Sequence, residues 1–249
     1  MEIIRVKNRS LNEEVKEALY RYIKAMDINK NNKLPREEAL AEMLGVSRIT
    51  IRRTLTELSH EGVIFRKHGI GTFVNADALQ IKVTFNPAQE FEKLIKNSGY
   101  KAAVELVNIE IKLAGYKVAN KLQIDPEDEV VIVEKVFYAD GNPAIYCIDR
   151  FPRKIIDGEI SQNDIKLSIF ELLKAKAGRI ITRDIVEIST VITTENDKLS
   201  SYMNSVEPKA FLVFESVNFD QDNNPSFYDT EYYNTDLIRF SSCRQKDIY

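Results

Sequence analysis

Two residues, Gly45 and Val46, are all that separate two apolar-striped segments of this chain. That spacing is the tightest constraint on what the chain can fold into. The segment before it opens at Lys33-Leu34-Pro35-Arg36-Glu37-Glu38 and carries Ala39, Leu40 and Leu44 on one face. Pro35 suits a first helical turn, and the acidic residues after it suit the helix dipole. Gly45 accepts the left-handed conformation that ends a helix. Ser47 can then cap a further helix, running to about His60, with Ile51, Leu55 and Leu58 pointing one way and Gly62 closing it. Upstream, Ser10 and Glu13 have capping-box spacing, and Leu11, Val15, Ala18, Leu19, Tyr22, Ile23 and Met26 predict a helix over 11–26. Downstream, residues 63–67 and 72–74 read as strands around the turn His68-Gly69-Ile70-Gly71. Helix, helix, tight turn, helix and a two-stranded wing make a winged helix-turn-helix.

The charge distribution agrees. The 249 residues carry a net charge of −3, but residues 1–76 hold 14 basic and 10 acidic side chains against 21 and 28 in the rest. A basic first third joined to an acidic remainder suggests separate jobs. The third helix opens with Ser47, Arg48 and Thr50, the part of this motif that enters the major groove. Arg can bond guanine bidentately, and Ser or Thr can hold phosphate or a base edge. The wing tip, Lys67-His68-Gly69, adds a cation and a glycine that allows close approach. The alternative is that Arg48, Arg52 and Arg53 form an ordinary solvated face.

Leu34-Pro35, Leu40-Ala41-Glu42, Gly45-Val46-Ser47-Arg48, Thr50, Arg52, Leu55, Leu58, Glu61-Gly62 and Gly69-Ile70-Gly71-Thr72-Phe73-Val74 resemble the winged-helix domain of the GntR family of bacterial transcription regulators. The resemblance implies DNA contacts at Arg48, Thr50, Arg52, His68 and Gly69, beside Arg36, Glu38, Ser47 and Lys67. One departure stands out. The family usually has arginine where this chain has Glu38, with an arginine two residues earlier at Arg36. A carboxylate there would accept from a cytosine amine or repel phosphate.

The acidic remainder contains an internal repeat with an offset of about 81–82 residues. Val130–Tyr138, Asp140-Gly141-Asn142-Pro143 and Ile145-Tyr146 match Phe211–Phe219, Asp222-Asn223-Asn224-Pro225 and Phe227-Tyr228. Glu134 aligns with Glu215 and Tyr146 with Tyr228. Two helix–strand–turn–strand copies predict a pseudo-symmetric α+β domain with an antiparallel sheet. Further helices are expected over about 88–97, 114–122 and 168–176, and strands over 107–111 and 180–193. Phe91…Gly99, Tyr138–Pro143, Ser168-Ile169-Phe170-Glu171-Leu172-Leu173 and Tyr233…Asp236…Arg239-Phe240 resemble the effector-binding (UTRA) domain of HutC-type GntR regulators, which has a chorismate-lyase-like fold. The expected layout is a head over 1–75, a linker over 76–82, and an effector-binding and dimerisation domain over 83–249.

The resemblance implies a pocket for a small metabolite beside the sheet, with Lys135, Phe137, Ser168, Tyr228, Glu231 and Tyr233 as its candidate residues. Phe137 and Tyr228 as core aromatics, and Lys135 as a solvated strand residue, are the plain alternatives. Many relatives carry two arginines two residues apart where this chain has Lys135 and Phe137, and a glutamate where it has Cys147. Lysine lacks the bidentate fork that grips an anion. The ligand is therefore expected to be less charged or aromatic-stackable rather than a hexosamine phosphate.

The function expected is a ligand-responsive transcription regulator, a repressor, binding an inverted-repeat operator in double-stranded DNA as a homodimer. The competing class is a small-molecule enzyme on a lyase-like fold fused to the head. It has no histidine over 77–249 and no phosphate-cradling glycine loop to work with. Two cysteines, Cys147 and Cys243, and two histidines leave no cofactor or metal centre in prospect. No apolar run is long enough for a membrane span, and a cytoplasmic setting is expected.

Overall fold

The structure is a computed structural model that describes residues 11–28, 30–79, 90–160, 168–194 and 197–242. They form two compact units, one of the described residues up to 79 together with 240–242 and one of the described residues from 90 to 239.

The first unit contains α1 (Leu11–Ala25), α2 (Glu37–Leu44), α3 (Arg48–His60), β1 (Ile64–Lys67), β2 (Gly71–Val74) and the one-turn α4 (Ala76–Leu79). Its core is the apolar stripe seen in the sequence: Val15, Leu19 and Ile23 meet Leu40, Ile51, Leu55 and Leu58, closed by Leu34, Ile64 and Val74. Burying each such side chain contributes about 1.5–3 kcal/mol. Gly45 takes φ 65°, so its N–H can turn back to the Ala41 and Glu42 carbonyls and stop α2. Polar side chains then tie α1 to α3. Asn12 donates to Glu57 at 2.7 Å and accepts from Thr54 at 2.9 Å, and Tyr20 donates to Glu61 at 3.1 Å.

Helix α2 starts later than Pro35 suggests. The Leu34 N–H donates to Thr72 O and Val74 N–H to Asn32 O, so residues 32–34 run along the wing as an extended segment. Arg36 is still extended at the cap position. The Ser10 capping box lies outside the described residues. Residues 76–79 form α4, with Ala78 buried and Leu79 packed on the head core.

The second unit contains α5 (Phe91–Asn97), β3 (Ala102–Leu113), α6 (Gly115–Leu122), β4 (Glu129–Ala139), β5 (Asn142–Pro152), α7 (Ile169–Ala177), β6 (Arg183–Ile192), α8 (Lys198–Tyr202), β7 (Ala210–Phe219) and β8 (Pro225–Tyr233). Its antiparallel sheet has the order β3-β4-β5-β8-β7-β6. The repeat is visible in that order. α6-β4-β5 and α8-β7-β8 are the two copies, and they meet where β5 pairs with β8. The β4–β5 hairpin turns on Asp140 (φ 48°) and Gly141 (φ 83°), the left-handed pair of a tight two-residue turn.

Side chains alternate across the sheet. One face packs under α7, whose Leu172 and Leu173 meet Val131, Val133, Phe151 and Phe227. α5 lies on the same face, with Phe91 edge-on to Phe137 at 4.7 Å. The opposite face packs under α6, through Ala119 and Leu122 against Val130 and Tyr228, and next to α8, where Met203 meets Val136, Tyr146 and Phe211. The two edge strands remain apolar and uncovered. Val104, Leu106, Ile109 and Ile111 on β3 and Ile185, Val186, Ile188 and Ile192 on β6 are exposed.

Candidate functional site

The head presents one polar surface, built around the start of α3. Ser47 caps the helix, its Oγ accepting from Thr50 N–H at 3.1 Å and lying 2.9 Å from Thr50 Oγ1. That cap holds the first turn rigid and leaves Arg48 and Ile49 exposed beside it. Arg48 Nη2 meets Glu38 Oε1 at 2.7 Å. Arg52 donates to Glu37 Oε2 through Nε at 3.1 Å and Nη2 at 2.9 Å. Arg66 on β1 reaches the same Glu37 at 3.7 Å, which sets the wing next to the start of α2. Glu38 therefore faces the arginine of the recognition turn. Arg36 is exposed just before α2.

At the wing, the Lys67 ammonium sits over the Phe65 and Phe73 rings at 5.7 and 5.2 Å. His68 and Gly69 are exposed at the tip, and Gly69 takes φ 71°, a conformation that favours glycine. Ile49, 80% exposed, joins this surface without having stood out among the motif residues. Its one signal in the sequence is that it lies off the Ile51-Leu55-Leu58 stripe.

The second unit holds a cavity of about 700 Å³ on the α5/α7 face. Lys135 and Phe137 from β4, Asp149 from β5, Asp229 and Glu231 from β8, and Ser216 and Asn218 from β7 line its sheet side. Phe91, Ser168 and Phe170 line it from α5 and the start of α7. Four of the six residues expected at a pocket are thus brought together: Lys135, Phe137, Ser168 and Glu231. The Ser168 hydroxyl also caps α7, accepting from Glu171 N–H at 3.2 Å.

The other two take different places. Tyr228 is on the opposite face, donating to Glu215 at 2.7 Å with the Arg150 guanidinium 5.2 Å from its ring. It is three residues from Glu231, and an odd spacing on a strand puts two side chains on different faces. Tyr233 is on the cavity face but buried beneath it, packed against Phe91 and Phe214 and donating to Glu231. It props Glu231 rather than lining the cavity.

Asp149 and Asp229 join the cavity without a motif to announce them. They are register partners on β5 and β8. Burial pushes the Asp149 carboxyl up to about 6, with Lys135 pulling the other way. Asp229 is pushed well above the carboxylate range by burial and by Glu231 and Asp149. Desolvation, with Asp149 and Asp184 adding to it, takes Glu231 to about 8 against the hydrogen bond from Tyr233. Burial and the neighbouring Asp149 likewise push the Cys147 thiol up, so it stays a protonated, unreactive group.

On the α6/α8 face the two repeat glutamates sit in matching environments. Glu134 accepts from Tyr146, from Asn108 at 3.3 Å and from Lys198 at 2.7 Å. Glu215 accepts from Tyr228 and from Lys117. Burial raises both, but their partners outweigh it and hold both below the usual range. Among the described residues, no group of three or more His, Cys, Asp or Glu is arranged to hold a metal ion.

Two family models match the chain. "Bacterial regulatory proteins, gntR family" matches residues 11–74, and "UTRA domain" matches residues 97–239. The chain is 26% identical over 210 residues to the uncharacterised HTH-type transcriptional regulator YurK of Bacillus subtilis, covering 84% of this chain and 85% of that one. It is 22% identical over 239 residues to MngR of Escherichia coli, a mannosyl-D-glycerate transport/metabolism system repressor, covering 96% and 98%. Among solved structures, the possible transcriptional regulator YydK from Bacillus subtilis aligns with a TM-score of 0.73 at 19% identity over 94% of this chain and 100% of that one. With its winged helix-turn-helix over one family match and its repeat-built sheet over the other, the chain belongs to the UTRA-domain regulators of the GntR family, ligand-responsive DNA-binding transcription regulators.

Proposed function

We propose that this regulator is a cytoplasmic repressor that binds an inverted-repeat operator as a homodimer and answers to a small metabolite held in the α5/α7 cavity. Residues 1–75 would be the reading head, 76–82 the linker and 83–249 the effector-binding and dimerisation domain. The observation that carries the reading is the capped start of α3. Its cap fixes Arg48, Thr50 and exposed Ile49 in one rigid turn, next to a wing with a cationic, glycine-bearing tip. That arrangement supports base reading by Arg48, thymine-methyl contact by Ile49, and backbone contact by Ser47, Thr50, Arg52, Lys67, His68 and Gly69. Arg36 would meet phosphate nearby. Glu38, paired with Arg48, would either leave it on DNA binding or accept from a cytosine amine beside it.

The exposed apolar edges β3 and β6 support dimerisation, since uncovered edge strands invite pairing with another chain. MngR, a repressor by name, aligns along nearly the whole chain, which supports the sign of regulation. A fused enzyme has less support. Glu134 and Glu215, the residues a catalytic reading would use, are each tied to a lysine and a tyrosine on the face away from the cavity.

The test is fluorescence anisotropy of the full chain with duplex from upstream of its own gene, against a scrambled duplex at two salt concentrations. A preference of about 1,000-fold supports operator recognition. Equal, steeply salt-dependent binding to both duplexes means backbone contacts alone and overturns it. A monomer by light scattering at micromolar concentration overturns the homodimer.

A further inference from the structure

The cavity side of the sheet concentrates acid where a sheet ordinarily avoids it. Asp149 and Asp229 stand directly opposite one another on β5 and β8, and Glu231 is two residues along the same strand, opposite Cys147. Like charges facing each other across neighbouring strands oppose folding. Among the described residues lining the cavity, seven carry carboxyls and two, Lys135 and Arg183, carry cations. Arg183 is committed elsewhere, donating to Asn223 Oδ1 and stacking 3.8 Å from the Phe219 ring centroid. Lys135 is the cation that acts most on the Asp149 carboxyl.

A second observation points to a missing partner. Asp229 is 4% exposed and lines the cavity. Its Oδ2 accepts from Asn218 at 2.7 Å and the Ser216 hydroxyl lies close to the carboxyl, but Oδ1 meets no donor in hydrogen-bond geometry among the described residues. A buried acceptor without a donor costs about 1–3 kcal/mol, so a native fold keeps one only where something else supplies the donor.

We propose that the cavity takes an organic cation, a small molecule carrying a protonated amine, whose ammonium sits among Asp149, Asp229 and Glu231. The inference rests on the reading of this cavity as the effector site. An ammonium brings three donors and a full charge, enough to satisfy Asp229 Oδ1 and offset the facing carboxyls together. A hydroxyl brings one donor and no charge, and a phosphate or carboxylate cannot compensate these carboxyls when they ionise, as an ammonium does. Phe91, Phe137 and Phe170 provide aromatic walls for the rest of the molecule, and an amine beside a ring is attracted to its face.

The test uses two matched series on the full chain, followed by ligand-observed NMR and calorimetry. One is benzylamine, benzyl alcohol, benzoate and phenyl phosphate; the other is glucosamine, glucose, glucuronate and glucose 6-phosphate. The amine of at least one series is expected to bind about tenfold or more tighter than its alcohol and its anions, and Asp229→Asn is expected to remove that preference. Asp149→Asn serves the same purpose should Asp229→Asn unfold, as a melting curve would reveal. An anion or alcohol that binds as well as its amine, silence from both amines at millimolar concentration, or amine binding untouched by both variants overturns the proposal. The operator assay separates the two readings. An anion or alcohol whose binding is lost in Phe137→Ala and shifts operator affinity leaves the effector site in place and removes only the cation. Binding insensitive to Phe137→Ala that leaves operator affinity unchanged removes the effector-site reading as well.

Discussion

The two faces of the sheet handle buried acid in opposite ways. On the α6/α8 face, Glu134 and Glu215 each receive a lysine from a helix and a tyrosine from the neighbouring strand, and both stay ionised. On the α5/α7 face, Asp149, Asp229 and Glu231 have neutral donors in Cys147, Asn218 and Tyr233 and a cation from the strand itself in Lys135, and all three are held toward the neutral form. The strands are neighbours in one sheet and the residue types are nearly the same. What differs is whether a helix over the face supplies a cation. A carboxylate that is already paired belongs to the fold. One that is buried without a sufficient partner opposes the fold and leaves something for a ligand to complete.

The largest expected effect comes from breaking a pair on the closed face. Glu134→Ala leaves the buried Tyr146 hydroxyl without its acceptor and the half-exposed Lys198 to water, and should cost about 2 kcal/mol in urea unfolding. A loss under about 1 kcal/mol would mean that this face owes little to its ion pairs.

The second effect has the opposite sign and belongs to the open face. Carboxyls raised in the folded state bind protons that the unfolded chain has already lost. Between the ordinary carboxylate range and the folded values of about 6 for Asp149 and about 8 for Glu231, the folded state therefore holds more protons than the unfolded one. Stability must then fall as pH rises from about pH 5 to about pH 8. Glu134 and Glu215, lowered in the fold, work the other way and lose their contribution as pH falls below about 4.5. Urea midpoints across the range should peak on the acidic side of neutrality. A flat profile up to about pH 8 would erase the distinction between the faces.

Smaller again is Glu231→Gln, which removes the carboxyl that titrates at about 8. It should stabilise the protein near pH 8, do little near pH 5, and flatten the slope. Destabilisation at every pH would place Glu231 with the paired glutamates instead.

The head offers a third environment, and the smallest effect on folding. The Arg48–Glu38 pair is more than half exposed on both sides. Glu38→Gln should change stability by less than about 0.5 kcal/mol, yet raise affinity for duplex DNA severalfold by releasing Arg48 and removing a repulsion from phosphate. Unchanged DNA affinity would mean that Glu38 turns away from the duplex.

Much of this is legible in the amino-acid sequence, and the exceptions share a cause. Local signals carry the head: Ser47 caps α3, Gly45 ends α2, and the Ile51-Leu55-Leu58 stripe is buried. Pro35 misleads because the extended run at 32–34 pairs with the wing, a contact that is not local. In the sheet domain, the repeat and both hairpins can be read from turn residues and alternation. Lys135 and Phe137 fall together because they are two apart on one strand. Asp149 and Asp229 escape notice because a lone aspartate in a strand looks solvated. Only the pairing of β5 with β8, across more than seventy intervening residues, shows that they face each other. Tyr228 is a different case, since its odd spacing from Glu231 already excludes a shared face.

The lysine clasps on the closed face have one more consequence. Lys117 of α6, in the first repeat, reaches Glu215 of the second, 98 residues away, while Lys198 of α8, in the second, reaches back 64 residues to Glu134 of the first. The exchange is reciprocal, so each half meets its own glutamate with a tyrosine but takes the lysine from the other half. A hairpin with its helix, made alone, would carry a glutamate with no cation. The two pairs therefore favour folding of the duplicated halves together. Those closing contacts are far apart in sequence, so the first repeat can be completed only once the second is available.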